Sequence, residues 1–409
     1  MLGRSGISYG PRGYSLPHGG VFSGRPRSLM SRLLSRNGVL RHIDWLLVLV
    51  VCGLSGLGIV LVWSATAPGL SGQGLDPRTY MKKQLLNVVI GLVLMALVSS
   101  VDSRRLRNWA PFCYVLSVLG LLAVLSPLGS SINGAKAWIA LPGGFQVEPS
   151  EYAKIALIIA VATALSPGRG QQRPGVRSLL AAFGVAAPLI GLVVVEPALG
   201  VAMVLVVTLA GLIMLSGMRL RIILSVAVLV GGAVAMAGGM HLLKGYQLTR
   251  FTSFLHPSAD LSGTGYNAAQ AKIAVGSGGM FGQGLFHGQL LAGNFVPAQQ
   301  TDFIFTVAGE ELGFVGAIVI LALLGVVIVR ALRIATRADD QFGMMVASGV
   351  AIWFAFQSFV NIGMTIGIMP ITGLPLPFLS YGGSAVFADM IAIGMLQSVH
   401  RRHHMFAHL

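Results

Sequence analysis

Apolar residues recur along this chain in runs too long for the core of a soluble domain. Ten of them approach or exceed the ~20 residues that cross ~30 Å of hydrocarbon as a helix. They lie at 43–63, 84–101, 109–126, 149–166, 179–195, 199–216, 220–239, 303–329, 342–368 and 384–399. Only Glu196-Pro197 separates the fifth run from the sixth, so that pair reads either as a hairpin or as one broken helix. The other connections are short, except for the loop of about sixty residues, 240–302, between the seventh and eighth runs. The pattern predicts an all-α polytopic membrane protein with about ten transmembrane helices in a single domain over 43–400. A Gly-, Ser- and Arg-rich tail, 1–42, precedes it and reads as disordered; a short basic tail, 401–409, follows.

Composition agrees with the pattern. The chain is 55% hydrophobic and 10% charged, with mean hydropathy +0.79, against roughly 25% charged residues in soluble domains. Charge then fixes orientation. With the N-terminus inside and ten spans, 20 of the 28 Lys and Arg residues fall in cytoplasmic segments, as the positive-inside rule expects. The topology is therefore N-in and C-in, with the long loop on the outer face of the membrane. The same asymmetry accounts for the +15 net charge without a nucleic-acid partner; the basic tails suit anionic headgroups. Cys52 and Cys113 sit inside spans and the histidines show no ligand spacing, which excludes a disulfide framework and a metal cluster.

Polar residues in or beside spans mark the candidate chemistry. Glu148–Lys154 (EPSEYAK) opens the fourth span, with Pro149 suited to a first helical turn. Glu151 and Lys154, three apart, share a helix face, either as a structural ion pair or as the polar lining of a substrate cavity. Asp389 lies a turn into the tenth run and needs a partner, for which Lys154 is a candidate. Of Glu310 and Glu311, one faces the bundle interior. In the outer loop, Ala268–Val275 reads as a short amphipathic or re-entrant helix. Asp260 is the sole carboxylate between Glu196 and Asp302. It is either an Asx-turn residue, as its Pro, Ser and Gly neighbours favour, or a general base or cation ligand near the bilayer surface.

The stretch from Met369 to Ser384 carries Pro370, Pro375 and Pro377 between two long apolar runs. Proline removes backbone donors and excludes a regular helix. Non-helical backbone at a bilayer persists only inside protein or along a wet cavity. The segment is thus either a ligand-free turn or the wall of a site. Ser380 and Tyr381 offer hydroxyls, Gly382 and Gly383 admit close approach to backbone amides, and Ser384 can cap the helix that follows. That helix N-terminus suits a phosphate or pyrophosphate.

Taken together, EPSEYAK (148–154), DLSGTG (260–265), AKIAVGSGG (271–279), TDFIFTVAGEELG (301–313), NIGMT (361–365) and PLPFLSYGGS (375–384) resemble the SEDS proteins of shape, elongation, division and sporulation. The likeness covers most of 43–400, and 295–305 with 257–265 is closer to the elongation-type RodA than to the division-type FtsW. The resemblance implies a ten-helix peptidoglycan glycosyltransferase in the cytoplasmic (inner) membrane of a bacterium. It would polymerise lipid II at the outer face for cell elongation and shape. It would work beside a class B penicillin-binding protein transpeptidase and other elongation-complex membrane proteins. The family's essential loop aspartate maps onto Asp260 as the catalytic residue. The 4-hydroxyl of an acceptor N-acetylglucosamine attacks the anomeric carbon of the donor N-acetylmuramic acid and displaces undecaprenyl pyrophosphate.

Substrate-binding candidates are Lys136, Trp138, Glu151, Lys154, Arg250, Lys272, Ser380, Tyr381, Gly382, Gly383 and Ser384. A divalent cation, Mg or Mn, is an expected aid to the leaving group, with Asp260 its candidate ligand. The chain departs from the family at Ala137-Trp138, where an Arg-Trp pair is usual, and at Glu196-Pro197-Ala198, where Gln-Pro-Asp is usual; Asp389 stands for a common Asn. The alternatives are a lipid II flippase, an FtsW-type division polymerase and a scaffold for wall-synthesis partners. A flippase lacks support in the outward clustering of the polar chemistry, and a scaffold leaves Asp260 and the Tyr381-Gly-Gly turn without a role.

Overall fold

The computed structural model describes residues 43–132, 135–140, 146–166, 174–196, 198–218, 264–293 and 295–406, with 221 and 225. The tail 1–42, the run 220–239, Arg250 and Asp260 lie outside the described residues, apart from 221 and 225 of that run. Residues 42–409 form one compact unit. Its elements are α1 (Trp45–Gly72), α2 (Thr79–Ser100), α3 (Ser103–Leu125), β1 (Gly129–Ile132), β2 (Ala135–Ala140), β3 (Gln146–Val147), α4 (Pro149–Leu165), α5 (Val176–Val195) and α6 (Leu199–Leu215). After a gap in the description come α7 (Thr264–Ser277), α8 (Gln289–Ala292), α9 (Ile304–Thr336), α10 (Gln341–Ile366) and α11 (Gly383–Phe406).

Six of these helices, α1, α2, α3, α5, α9 and α10, are long and apolar enough to cross a membrane, and α6 is a shorter apolar helix. The protein is a multi-pass membrane protein. α4 falls outside the six because it is shorter, at 17 residues, and α11 because polar residues such as Asp389, Gln397 and His400 dilute its apolar stretch. α4 is buried along nearly its whole length, and α10 along most of it. They form the centre, apolar on every side. α3, α5, α6 and α10 pack on α4; α9 packs on α10 and α1, and α11 on α2.

Several helices outrun the apolar runs that announce them. α3 starts at Ser103 because Asp102 caps it, its carboxylate accepting from the Arg104 amide at 3.0 Å. Asp44 caps α1 and Asp340 caps α10 in the same way. The run at 129–147, read as connection, forms an antiparallel sheet in the order β1-β2-β3, pairing Ser130 with Trp138 and Ile139 with Val147. Its signal was the Asn133-Gly134 pair, a dipeptide typical of hairpin turns.

The described part of the outer loop, from 264 onward, is built into the fold. α7 covers the helix expected at 268–275. The residues after it repair a break in α9 at Gly313, whose φ is 67°. There the Phe314 and Val315 amides leave the helix ladder and donate to the carbonyls of Gly279 and Met280 at 2.9 and 3.1 Å. The carbonyls of Glu310 and Glu311, thus freed, accept from Gln283 and Gly284 at 3.0 Å each. Unsatisfied backbone groups cost too much at membrane depth, so break and strap form together. Both acids are buried and anchor the strap. Glu310 accepts from the Leu290 amide at 2.8 Å, and Glu311 from the Phe286 amide at 3.0 Å and from the Ser64 hydroxyl.

Candidate functional site

Five elements meet around the proline segment. Lys154 of α4 is 1% exposed and its Nζ lies 2.8 Å from Glu151 Oε2 and 2.9 Å from Gln357 Oε1 of α10. Its ammonium also stands 4.5 Å from the centre of the Trp353 ring. Desolvating an ion pair is costly, and the added amide and ring contacts offset part of that cost. The same Gln357 Oε1 accepts from Trp353 Nε1 at 2.6 Å, while Nε2 donates to the Pro375 carbonyl at 2.7 Å. One turn on, Asn361 Nδ2 donates to the carbonyls of Leu374 and Asp302 at 2.6 and 2.8 Å. Thus α10 holds the entrance of the proline segment through two carboxamides four residues apart.

The rest of the segment is fixed from other sides. Phe378 is buried with φ 65°, a left-handed backbone that is strained for an aromatic residue. Its amide donates to Asp389 Oδ2 at 3.1 Å. Asp389 therefore serves the segment's backbone, while Lys154 takes Glu151 as its ion-pair partner; of the two acids considered, only Glu151 makes the salt bridge. α1 packs against the same turn at Gly58, where a Cβ would stand 2.7 Å from the Leu379 carbonyl oxygen. Only a residue without a side chain permits that approach. Gln84 of α2 donates to the Ser380 carbonyl at 3.1 Å, and Asn87 lies against Gly383.

The positions singled out in the sequence separate into groups. Glu151, Lys154, Ser380, Tyr381, Gly382, Gly383 and Ser384 are brought together. Ser380 is an internal brace rather than a free hydroxyl: it donates to the Thr301 carbonyl at 2.6 Å and accepts from the Leu376 amide at 2.7 Å. Ser384 does not cap the last helix, which begins one residue earlier at Gly383. Its hydroxyl accepts from the Glu148 amide at 2.9 Å and so joins α11 to the start of α4. Tyr381 stands edge-on to Tyr80 at 5.1 Å, half-buried, and its amide donates to the Gln300 carbonyl at 2.9 Å. Its hydroxyl makes no hydrogen bond among the described residues, which makes it the segment's available polar group.

Lys136 and Trp138 lie on β2. The Lys136 ammonium donates to the Ser126 carbonyl at 2.7 Å, at the C-terminal end of α3 where the helix dipole favours a cation. Lys272, on α7, is exposed and its stem covers Gly367, the left-handed cap of α10. Arg250 and Asp260 lie outside the described residues. Sequence reasoning passed over Gln84, Asn87, Trp353 and Gln357 and used Asn361 only within a motif. The available signal was amide side chains three or four apart in otherwise apolar helices. Among the described residues no three His, Cys, Asp or Glu side chains gather as a metal shell requires; Asp260, the expected cation ligand, lies outside them.

Comparison with known proteins places this arrangement. The sequence profile described as "Cell cycle protein" and named for FtsW, RodA and SpoVE matches residues 44–405. A probable peptidoglycan glycosyltransferase FtsW of Trichlorobacter lovleyi is 36% identical over 373 residues, 90% of this chain and 96% of that one. The peptidoglycan glycosyltransferase MrdB of Escherichia coli K12 is 37% identical over 372 residues, 90% of this chain and 95% of that one. A solved chain, from work on the structural coordination of polymerization and crosslinking by a peptidoglycan synthase complex, superposes with a TM-score of 0.74 at 31% identity. It covers 88% of this chain and 98% of that one.

Proposed function

The chain belongs to the FtsW, RodA and SpoVE family of cell cycle proteins, and from that membership we propose that it is a peptidoglycan glycosyltransferase acting on lipid II. The observation that carries the reading is the polar chain from Glu151 through Lys154 and Gln357 to the Pro375 carbonyl. It joins two buried helices to a non-helical segment that a transport or scaffold role would not require to be so rigidly held.

In this reading Asp260 takes the proton from the 4-hydroxyl of the acceptor N-acetylglucosamine as that oxygen bonds to the anomeric carbon of the donor. The bond from that carbon to undecaprenyl pyrophosphate breaks, and the pyrophosphate leaves with the electron pair. The described residues act by positioning. The α10 amides and Asp389 fix the proline segment, which keeps the Tyr381 hydroxyl in one place. Preorganised donors of this kind stabilise developing charge without reorganising during the reaction. Held by Asp260, a divalent cation would instead supply positive charge to the departing pyrophosphate.

We assign the protein to the cytoplasmic membrane and to wall elongation, on the likeness of 295–305 and 257–265 to RodA, with a class B penicillin-binding protein as the crosslinking partner. Relatives named FtsW and MrdB are nearly equally identical, so the cellular role is tested separately by depletion. Loss of rod shape is the expected phenotype; filamentation with blocked septa would indicate division. The activity is tested by purified protein and labelled lipid II, with and without the partner and with penicillin present. Uncrosslinked glycan strands are expected. Movement of lipid II across liposomes without polymer would favour the flippase reading.

A further inference from the structure

A groove of about 310 Å³ opens between the first turn of α1 and the C-terminal half of α9, away from the candidate site. On α9 its wall is a single helical stripe: Ala322, Gly325, Val326 and Val329, then Arg330 and Arg333. Leu46 of α1 supplies the facing wall. Gly325 leaves the floor open, since a Cβ there would meet nothing within 4 Å. The walls are thus apolar for two turns and cationic for the last. Arg330 is fixed in place, its Nε donating to the buried Asp44 carboxylate at 2.7 Å. Arg333 is exposed and its guanidinium has no ion pair among the described residues. One acid against two arginines leaves the groove end with a net positive charge.

We infer that this groove binds an anionic phospholipid, one acyl chain lying along Ala322–Val329 and its phosphate between Arg330 and Arg333. The stripe from Ala322 to Arg333 spans roughly 16 Å at the α-helical rise. That is close to one leaflet's share of ~30 Å of hydrocarbon. It places the arginines at headgroup depth in the leaflet that the charge asymmetry assigns to the cytoplasm. Other occupants match only half of the groove. A soluble anion leaves the apolar walls wet, and an apolar helix from another protein leaves Arg333 without a counter-charge.

Native mass spectrometry of the full-length protein, released from detergent carrying equal phosphatidylglycerol and phosphatidylethanolamine, tests the assignment. Phosphatidylglycerol adducts should persist selectively. Arg333→Gln should cut that selectivity about fivefold, the effect of one arginine near a charged headgroup. Gly325→Leu should fill the groove and reduce retention of both lipids with the charge intact. Ten-millimolar-scale inorganic phosphate should leave the adducts in place, because it lacks the chain. Equal retention of the two lipids by the native protein, unchanged selectivity in Arg333→Gln, unchanged retention in Gly325→Leu, or displacement by phosphate would each overturn the inference.

Discussion

Lys154 Nζ lies 2.9 Å from Gln357 Oε1, and through that carboxamide a charge on α4 reaches the Pro375 carbonyl at the entrance of the proline segment. A buried ammonium is thereby tied to the shape of a non-helical turn. Stability and activity should fail together when the link is cut.

Lys154→Ala leaves the Glu151 carboxylate buried without its cation, which typically costs about 3–5 kcal/mol. Thermal unfolding in detergent should show a clear loss of stability, and lipid II polymerisation should fall to background. A double-mutant cycle between Lys154 and Glu151 should give a large coupling energy. Coupling near zero would remove the pair from the account.

Gln357→Leu keeps the volume and removes three hydrogen bonds. Lys154, Trp353 and Pro375 lose a partner each, at about 1–3 kcal/mol for a buried group left unsatisfied. Turnover should fall more than stability, because α10 itself is otherwise unchanged. Turnover near the native level, assayed on properly inserted protein, would show that the amide is structural only.

Gly58→Val places a side chain where the Leu379 carbonyl oxygen already stands, 2.7 Å from the new Cβ. Overpacking of a fixed backbone typically costs about 1–3 kcal/mol. Polymerisation should be lost while membrane insertion persists. Gly53→Ala, where a Cβ meets nothing within 4 Å, is the matched control and should behave as native.

Glu196 is fully buried and, among the described residues, neither carboxyl oxygen has a hydrogen-bond partner. A buried carboxyl in that setting takes up a proton rather than stay charged. Native stability should therefore fall as pH rises above the usual carboxylate range, because the unfolded chain ionises there and the folded protein does not. Glu196→Gln should lose that pH dependence in thermal unfolding; a variant that keeps it would show that Glu196 is not its source.

These expectations show what the sequence could and could not convey. Apolar runs revealed the spans because membrane length imposes itself on composition. The proline segment was legible because three prolines forbid a helix whatever their neighbours do. The ends of the helices were not, since capping by Asp102 starts α3 at Ser103, well ahead of its apolar run at 109–126. The small sheet was hidden in a stretch too short to show alternation apart from its Asn-Gly pair. Lys154 was recognisable as a buried charge needing a partner, and Glu151 was one of two candidates offered. Gln357 was invisible as its third contact, because a separation of 203 positions carries no local signal. The hydroxyls of Ser380 and Ser384 looked available for the same reason: their partners lie 79 and 236 residues away.

The central claim, transfer of a glycan with Asp260 as base, is tested most directly by purified Asp260→Asn against the native protein in lipid II polymerisation, with the class B partner present. Asn keeps the shape and one acceptor oxygen but cannot accept the proton. The account predicts normal insertion, normal partner binding and no glycan strands. Near-native turnover by Asp260→Asn would contradict it.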